Sequence, residues 1–171
     1  MDLAALIRDV PDFPVPGVLF KDVTTLLGDP DGFRAAVDAL RDHYADRNDI
    51  DLVAAIEARG FLFAAPLAYL MRAGLVPIRK PGKLPASTTS IEYSLEYGSN
   101  TLEMHTDAIV PGQKVLVVDD VLATGGSAKA AVELIERLGG EVIGVAFLAE
   151  LTFLNGIAKL HGYDVYSVIR Y

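Results

Sequence analysis

Two adjacent carboxylates directly follow four apolar residues in the stretch VLVVDDVLATGGS, which begins at Val115. A short, uninterrupted apolar run is typical of a buried parallel strand. Neighbouring side chains of a strand point to opposite faces, so one of Asp119 and Asp120 would be buried if both lay inside it. We therefore expect the strand to end at Val118, where both carboxylates can bind a metal ion or vicinal hydroxyl groups. The alternative is that they only cap the turn.

The glycine-containing loop after the aspartates predicts a phosphate site. A strand, a tight turn and a helix start gather backbone N–H groups at the positive end of the helix dipole. The spacing matches neither GxxxxGK[ST] nor GxGxxG, so the loop would hold a monophosphate without a lysine. A phosphate beside a diol-binding carboxylate pair describes a ribose 5-phosphate, although an ordinary strand-to-helix turn is the alternative. The loop residues are Ala123, Thr124, Gly125, Gly126 and Ser127.

The rest of the chain predicts the elements that position these residues. Strands that alternate with helices indicate an α/β fold with a mostly parallel sheet. Further strands are expected at 52–56, 75–78, 142–148 and 163–169. Helices are expected at 2–8, after the N-cap Asp29, from Gly60 with a kink or early end at Pro66, at 128–138 and at 151–160. Residues 81–105 predict a mobile loop followed by a β-hairpin around Gly98.

Composition limits the class of protein. The 171 residues suit one domain, with 51% apolar and 22% charged residues. The net charge of −8 argues against a nucleic-acid surface. Cysteine is absent, the N-terminus does not resemble a signal peptide, and the apolar stretch 61–71 is too short to span a bilayer. We therefore expect a cytoplasmic protein that binds neither a membrane nor nucleic acid.

Several motifs resemble one enzyme family. VVDDVLATGGS is similar to the signature of the phosphoribosyltransferases that use phosphoribosyl pyrophosphate. DFPVPGVLFKDVTTLL, EARGFLF, IRKPGKLP and SLEYG narrow the resemblance to the members that use adenine, over nearly the whole chain. The resemblance implies a single type I phosphoribosyltransferase domain over 1–171, in which residues 1–28 form a small base-binding hood. Residues 80–105 would form a flexible catalytic loop and hairpin over the site.

The same resemblance implies a reaction and its partners. Adenine and phosphoribosyl pyrophosphate would give AMP and pyrophosphate, as in purine salvage. Mg²⁺ would be the cofactor, bound mainly through substrate oxygens rather than by a dedicated set of protein ligands. The protein would be a homodimer. The alternatives are a transferase for 6-oxopurines and a catalytically silent sensor of ribosyl phosphates.

Residue roles also follow from the resemblance. The loop 123–127 would hold the 5-phosphate, Asp119 and Asp120 the ribose hydroxyls, and Glu96 would be the catalytic acid/base. The two aspartates and Arg59 would also be catalytic residues. Pyrophosphate would bind to Arg59, Arg79, Lys80 and Lys83, and adenine to Leu19, Phe20, Lys21 and Val121. The family pattern further implies a non-proline cis peptide between residues 57 and 58.

Some residues allow simpler interpretations or depart from the family pattern. The basic residues 79–83 could form a solvated loop, and Glu96 could be an exposed hairpin acid paired with a lysine. The three histidines lack metal-ligand spacing and are interpreted as structural or surface residues. Lys21 replaces a common arginine, Ala58 a usual serine, Thr25 a frequent proline, and Ile157-Ala158 a more basic stretch. These departures concern local contacts more than the reaction.

Overall fold

The computed structural model describes residues 1–95 and 98–171. Its strands and helices are, in order, β1 (Arg8–Pro11), β2 (Leu19–Asp22), α1 (Thr24–Gly28), α2 (Pro30–His43), β3 (Leu52–Ile56), α3 (Gly60–Met71), β4 (Gly74–Ile78), β5 (Thr88–Ser94), β6 (Ser99–His105), β7 (Lys114–Leu122), α4 (Gly126–Arg137), β8 (Glu141–Glu150) and β9 (Val165–Arg170). Short 3₁₀ helices cover Ala4–Leu6, Thr152–Leu154 and Gly156–Leu160. Among the described residues, no helix has the length and apolar character needed to cross a membrane.

A five-stranded parallel sheet in the order β4-β3-β7-β8-β9 forms the centre of the fold. One apolar cluster lies between this sheet and helices α2 and α3, and a second lies between the sheet and α4 with the hairpin strands. Residues Val115–Val118 of the central strand β7 have no exposed surface, because both faces of the sheet are covered. The prediction of an α/β fold with a parallel sheet is confirmed.

Local signals correctly located most helices and the hairpin. The side chain of Asp29 accepts a 2.7 Å hydrogen bond from the Gly32 N–H, and Pro30 is the first residue of α2. Strands β5 and β6 pair antiparallel from Thr88 with His105 to Ser94 with Ser99, which confirms the hairpin. Helix α3 continues through Pro66 to Met71, so the proline does not shorten it.

The N-terminal segment differs from the sequence prediction. The expected helix over residues 2–8 is only a 3₁₀ turn at Ala4–Leu6, because Arg8 already begins β1. β1 pairs antiparallel with β2, which the sequence did not predict. The proline-rich segment between them contains a cis Phe13–Pro14 peptide, and Asp12 Oδ1 accepts a 2.8 Å hydrogen bond from the Gly17 N–H. Pro11 therefore ends β1, and Pro14 and Pro16 lie in the connection of a two-stranded hairpin.

The expected helix at 151–160 is also wrong. Two 3₁₀ helices replace it, separated by Asn155 in the left-handed conformation (φ 51°). Asparagine tolerates this conformation better than most residues, and it interrupts the helical hydrogen-bond ladder. The segment instead lies against the loop at 123–127, through Gly156.

Candidate active site

The two aspartates lie inside a strand rather than after it. The expectation that β7 ends at Val118 is wrong, because β8 pairs with it as far as Leu122. β3, on the other side, pairs with β7 only up to Val118. Beyond that point β7 has lost one neighbour, and a cavity opens there. Asp119 and Asp120 are 8% and 4% exposed, and both line this cavity.

This first cavity has a volume of about 430 Å³ and lies at the carboxyl ends of β3 and β7. In α/β folds, ligands bind at this edge of a parallel sheet. We call it the carboxylate cavity. Its lining residues are Ile56, Glu57, Ala58, Arg59, Lys80, Pro81, Tyr93, Ser99, Asn100, Thr101, Leu102, Asp119, Asp120, Val121 and Ser127. Acidic, basic and hydroxyl groups thus face one space, as a phosphorylated sugar requires.

The two carboxylates differ in their surroundings. Burial raises the pKa of Asp119 well above its ordinary value, and the adjacent charge of Asp120 raises it further. The Asp120 N–H donates a 2.9 Å hydrogen bond to Asp119 Oδ1 and partly opposes this shift. Asp120 Oδ2 lies 2.7 Å from Arg59 Nε but, among the described residues, has no aligned hydrogen-bond donor. That buried oxygen is therefore paired with Arg59 by charge rather than by a well-aligned hydrogen bond.

A glycine allows helix α3 to begin against these carboxylates. A Cβ added at Gly60 would lie 2.9 Å from Asp119 Oδ1 and 3.0 Å from the Val118 carbonyl oxygen. Any larger residue would therefore displace the aspartate or the start of the helix. The positive end of the α3 dipole lies close to Asp119 as a result, which favours a negative charge there.

The loop at 123–127, which is predicted to bind phosphate and is called the phosphate loop below, joins β7 to α4. Gly125 has a φ of 77°, which favours glycine, and Gly126 is the first residue of the helix. The loop also packs tightly on another glycine. A Cβ at Gly125 would overlap the Gly156 carbonyl oxygen, and a Cβ at Gly156 would overlap that of Ala123. Gly156 is not among the predicted site residues, and its only signal in the sequence is an Asn-Gly dipeptide typical of a turn.

A second cavity, of about 250 Å³, adjoins the first. We call it the base cavity. It brings together all four residues that the resemblance assigned to adenine, and it adds Leu151 and Leu154, which the sequence analysis placed in a helix. Arg59 and Val121 line both cavities, so the two spaces meet at these side chains. The lining residues are Val18, Leu19, Phe20, Lys21, Arg59, Val121, Ala123, Leu151 and Leu154.

The four expected pyrophosphate ligands are not equally placed. Arg59 and Lys80 line the carboxylate cavity, whereas Arg79 and Lys83 are not part of its lining. The Arg79 guanidinium lies 3.2 Å from Glu57 Oε1 and donates a 3.3 Å hydrogen bond to the Lys83 carbonyl oxygen. The Lys80 N–H donates 2.9 Å to Glu57 Oε2, and with Arg79 it lowers the pKa of Glu57. Glu57 thus holds the basic segment as a charged carboxylate.

Two further expectations concern the rim of the cavity. The cis peptide between Glu57 and Ala58 is confirmed. Glu96 lies outside the described residues. The neighbouring residues Ser99 and Asn100 of β6 line the carboxylate cavity, which brings this end of the hairpin to the site.

Comparisons with known proteins identify the family. Residues 22–165 match the model of the phosphoribosyl transferase domain. An adenine phosphoribosyltransferase from Solibacter usitatus is 58% identical over 99% of this chain and 98% of the relative. The chain belongs to the adenine phosphoribosyltransferase family.

Solved structures of adenine phosphoribosyltransferases agree over the whole fold. The enzyme from Thermoanaerobacter pseudethanolicus superimposes with a TM-score of 0.96 at 52% identity, covering 99% of this chain and 98% of that one. The Saccharomyces cerevisiae enzyme, complexed with D-2,5-dideoxy-2,5-imino-altritol 1,6-bisphosphate and adenine, has a TM-score of 0.93 at 39% identity, with coverages of 98% and 96%. The expected type I fold and enzyme class are confirmed. The reaction is the transfer of the phosphoribosyl group from phosphoribosyl pyrophosphate to adenine, which gives AMP and pyrophosphate.

The donor set bears on the expected magnesium ion. Within residues 1–95 and 98–171, no three histidine, aspartate or glutamate side chains group as a metal site. Asp119 and Asp120 nevertheless line the cavity, and Mg²⁺ in phosphate sites combines one or two carboxylates with substrate oxygens. The residues present fit an ion that takes most of its ligands from the substrate.

Proposed function

We propose that the two adjoining cavities are the two halves of one active site. Phosphoribosyl pyrophosphate would occupy the carboxylate cavity, and adenine the base cavity. The observation that carries this proposal is that Arg59 and Val121 line both spaces. The C1 atom of the ribose and the N9 atom of the purine can then meet at this junction, which is the geometry that transfer requires.

The ribose would be held by the buried carboxylates of Asp119 and Asp120. Each carboxylate can accept a hydrogen bond from the 2- or 3-hydroxyl, because both residues line the carboxylate cavity. If the bond to pyrophosphate breaks ahead of the new bond, positive charge develops on the ribose ring. A carboxylate about 5 Å away at an effective dielectric constant of ~20 stabilises that charge by roughly 3 kcal/mol.

The 5-phosphate would lie on the loop 123–127, where backbone N–H groups and the start of the 12-residue helix α4 favour an anion. The pyrophosphate would contact Arg59 and Lys80, which line the same cavity. Arg79 and Lys83 would join only if the basic segment moves, because Arg79 is paired with Glu57. Bound through substrate oxygens and the nearby aspartates, Mg²⁺ would neutralise charge on the pyrophosphate leaving group.

Adenine would be recognised by the main chain of residues 19–21. β2 belongs to a two-stranded sheet with β1, so its other edge offers N–H and C=O groups. The 6-amino group needs an acceptor and N1 needs a donor, which one extended segment can supply. In a 6-oxopurine, the oxygen at position 6 would face the same main-chain acceptor. Two acceptors cannot form a hydrogen bond, so a buried polar group would be left unpaired. Selectivity for adenine follows.

Glu96 would act as the base that removes the N9 proton of adenine. Two facts support this assignment: the match of SLEYG to the family pattern, and the location of Ser99 and Asn100 at the carboxylate cavity. Closure of the loop and hairpin over the substrates would exclude water and raise the pKa of this carboxylate. The proton could then leave the purine as the glycosidic bond forms.

We also propose a cytoplasmic homodimer, on the strength of the family resemblance and of a sequence without cysteine. Light scattering of the purified protein tests the dimer, and fractionation of the source cells tests the compartment. A monomeric mass at working concentration would reject the dimer.

One assay tests the proposed site as a whole. Purified protein receives phosphoribosyl pyrophosphate and either adenine, hypoxanthine or guanine, with Mg²⁺ or with a chelator. We expect AMP from adenine, little product from either 6-oxopurine, and loss of turnover with the chelator. Comparable rates with hypoxanthine would contradict recognition by residues 19–21. Full activity with the chelator would contradict the magnesium proposal.

A further inference from the structure

Two contacts within the protein hold the side chain of Lys21. Its Nζ atom lies 2.6 Å from Asp9 Oδ1 on the neighbouring strand β1. The same atom lies 3.9 Å from the centre of the Tyr171 ring, within the range of a cation–π interaction. The Lys21 side chain is only 12% exposed, so this ammonium group is poorly solvated. Both contacts become stronger under that condition.

Tyr171 is itself fixed to the opposite wall of the base cavity. Its main-chain oxygen accepts hydrogen bonds from the Thr152 N–H (3.0 Å) and from Thr152 Oγ1 (2.5 Å). Its N–H donates 2.9 Å to the carbonyl oxygen of Glu150 at the end of β8. Thr152 lies between Leu151 and Leu154, which line the base cavity. Tyr171 therefore contacts one wall through Lys21 and the other through Thr152.

We propose that Tyr171 is a positioning residue for the purine. Its ring holds Lys21, and with it the main chain of β2, at a fixed distance from the segment that begins at Leu151. The proposal rests on the assignment of adenine to the base cavity. Loss of the ring would loosen β2 against the other wall. Affinity for adenine would fall, while the carboxylate cavity, which Tyr171 does not line, would keep its geometry.

The chain offers a matched pair of substitutions at this residue. The Tyr171 hydroxyl is buried and has no hydrogen-bond partner among the described residues. Tyr171→Phe therefore breaks no hydrogen bond and keeps the aromatic ring. Tyr171→Leu removes the aromatic face. We expect Tyr171→Leu to raise KM for adenine about three- to tenfold, on the scale of a partly desolvated cation–π contact. KM for phosphoribosyl pyrophosphate should change less than twofold in both variants, and Tyr171→Phe should keep the wild-type KM for adenine.

The contact partner supplies a second test that does not alter Tyr171. Lys21→Met keeps an unbranched side chain of nearly the same length and removes the ammonium group. In a double-mutant cycle, Tyr171→Leu should add little to the effect of Lys21→Met on KM for adenine. Independent, additive effects would overturn the proposal, as would a lower melting temperature with unchanged KM values. If the leucine variant folds poorly, Tyr171→Met, which also lacks the aromatic ring, takes its place in the cycle.

Phe20→Ala separates failure of this inference from failure of the proposed site. Phe20 lines the base cavity directly, so its truncation should raise KM for adenine whether or not Tyr171 matters. If Phe20→Ala raises KM and Tyr171→Leu does not, the positioning role is wrong and the adenine site stands. If neither variant changes KM for adenine, the base cavity is not the adenine site, and both proposals fall.

Discussion

The Nε atom of Arg59 lies 2.7 Å from Oδ2 of Asp120, and the side chains are 39% and 6% exposed. The arginine also lies over the Phe20 ring, with its guanidinium carbon 5.0 Å from the ring centre. The Arg59 side chain therefore contacts both a residue that is proposed to bind ribose, Asp120, and one that is proposed to bind adenine, Phe20. Arg59 partly neutralises the buried carboxylate, which lowers the cost of keeping it charged without substrate.

Asp119→Asn and Asp120→Asn should each reduce turnover by about 100-fold, which corresponds to roughly 3 kcal/mol of lost electrostatic stabilisation. Each substitution keeps the shape of the side chain and removes its charge. Steady-state kinetics with adenine measures the loss, and circular dichroism checks that the fold is retained. Near wild-type rates in both variants would reject the ribose assignment.

Asp119→Asn should also raise the stability of the protein. Burial and the charge of Asp120 raise the pKa of Asp119 in the folded state, so the folded protein binds its proton more tightly than the unfolded chain does. Stability linked to this group is therefore fully present below the ordinary carboxyl pKa of about 4 and is lost as pH rises towards the raised value. Urea unfolding at a series of pH values measures this effect. The free energy of unfolding of the asparagine variant, relative to that of the wild type, should increase as pH rises through this range. A difference that does not change with pH would show that the carboxylate charge is not the cause.

The features of this site that depend on residues close together in the sequence could be predicted, whereas those that depend on distant residues could not. The apolar run before Asp119 and the glycines after it fix a strand, a turn and a helix within a few residues. The burial of both aspartates could not be predicted, because the length of β7 depends on β8, which pairs with it as far as Glu150. Likewise, the ion pair of Arg79 with Glu57 joins residues 22 positions apart, so the sequence did not predict it. Because of this pair, Arg79 is not free to bind pyrophosphate as the basic segment 79–83 had suggested.

Gly156→Ala should weaken binding of phosphoribosyl pyrophosphate. A Cβ there would overlap the Ala123 carbonyl oxygen and lie 2.9 Å from the Gly125 nitrogen, so the phosphate loop must shift. We expect KM for phosphoribosyl pyrophosphate to rise by at least about tenfold, since one lost charge-assisted hydrogen bond accounts for that much.

Gly28→Ala is the matched control for this substitution, because its added Cβ would meet nothing within 4 Å and its φ is not positive. It should leave the kinetic constants close to those of the wild type. If Gly156→Ala also behaves like the wild type, the phosphate loop does not depend on this contact. A fall in thermal stability with unchanged KM would lead to the same conclusion.

Glu96→Gln tests the proposed base. The substitution keeps the size and polarity of the side chain but removes its ability to take a proton. General-base catalysis contributes typically about 10²–10⁴-fold, so we expect kcat to fall by at least about 100-fold. Binding of phosphoribosyl pyrophosphate, measured by calorimetry without adenine, should stay near normal, because the purine proton is not involved in that step. Glu92→Gln on the same hairpin is the control; its carboxylate pairs with Ser99 within the hairpin. If Glu96 is instead an exposed acid paired with a lysine, both variants turn over like the wild type, and Glu96 has no part in the proton transfer.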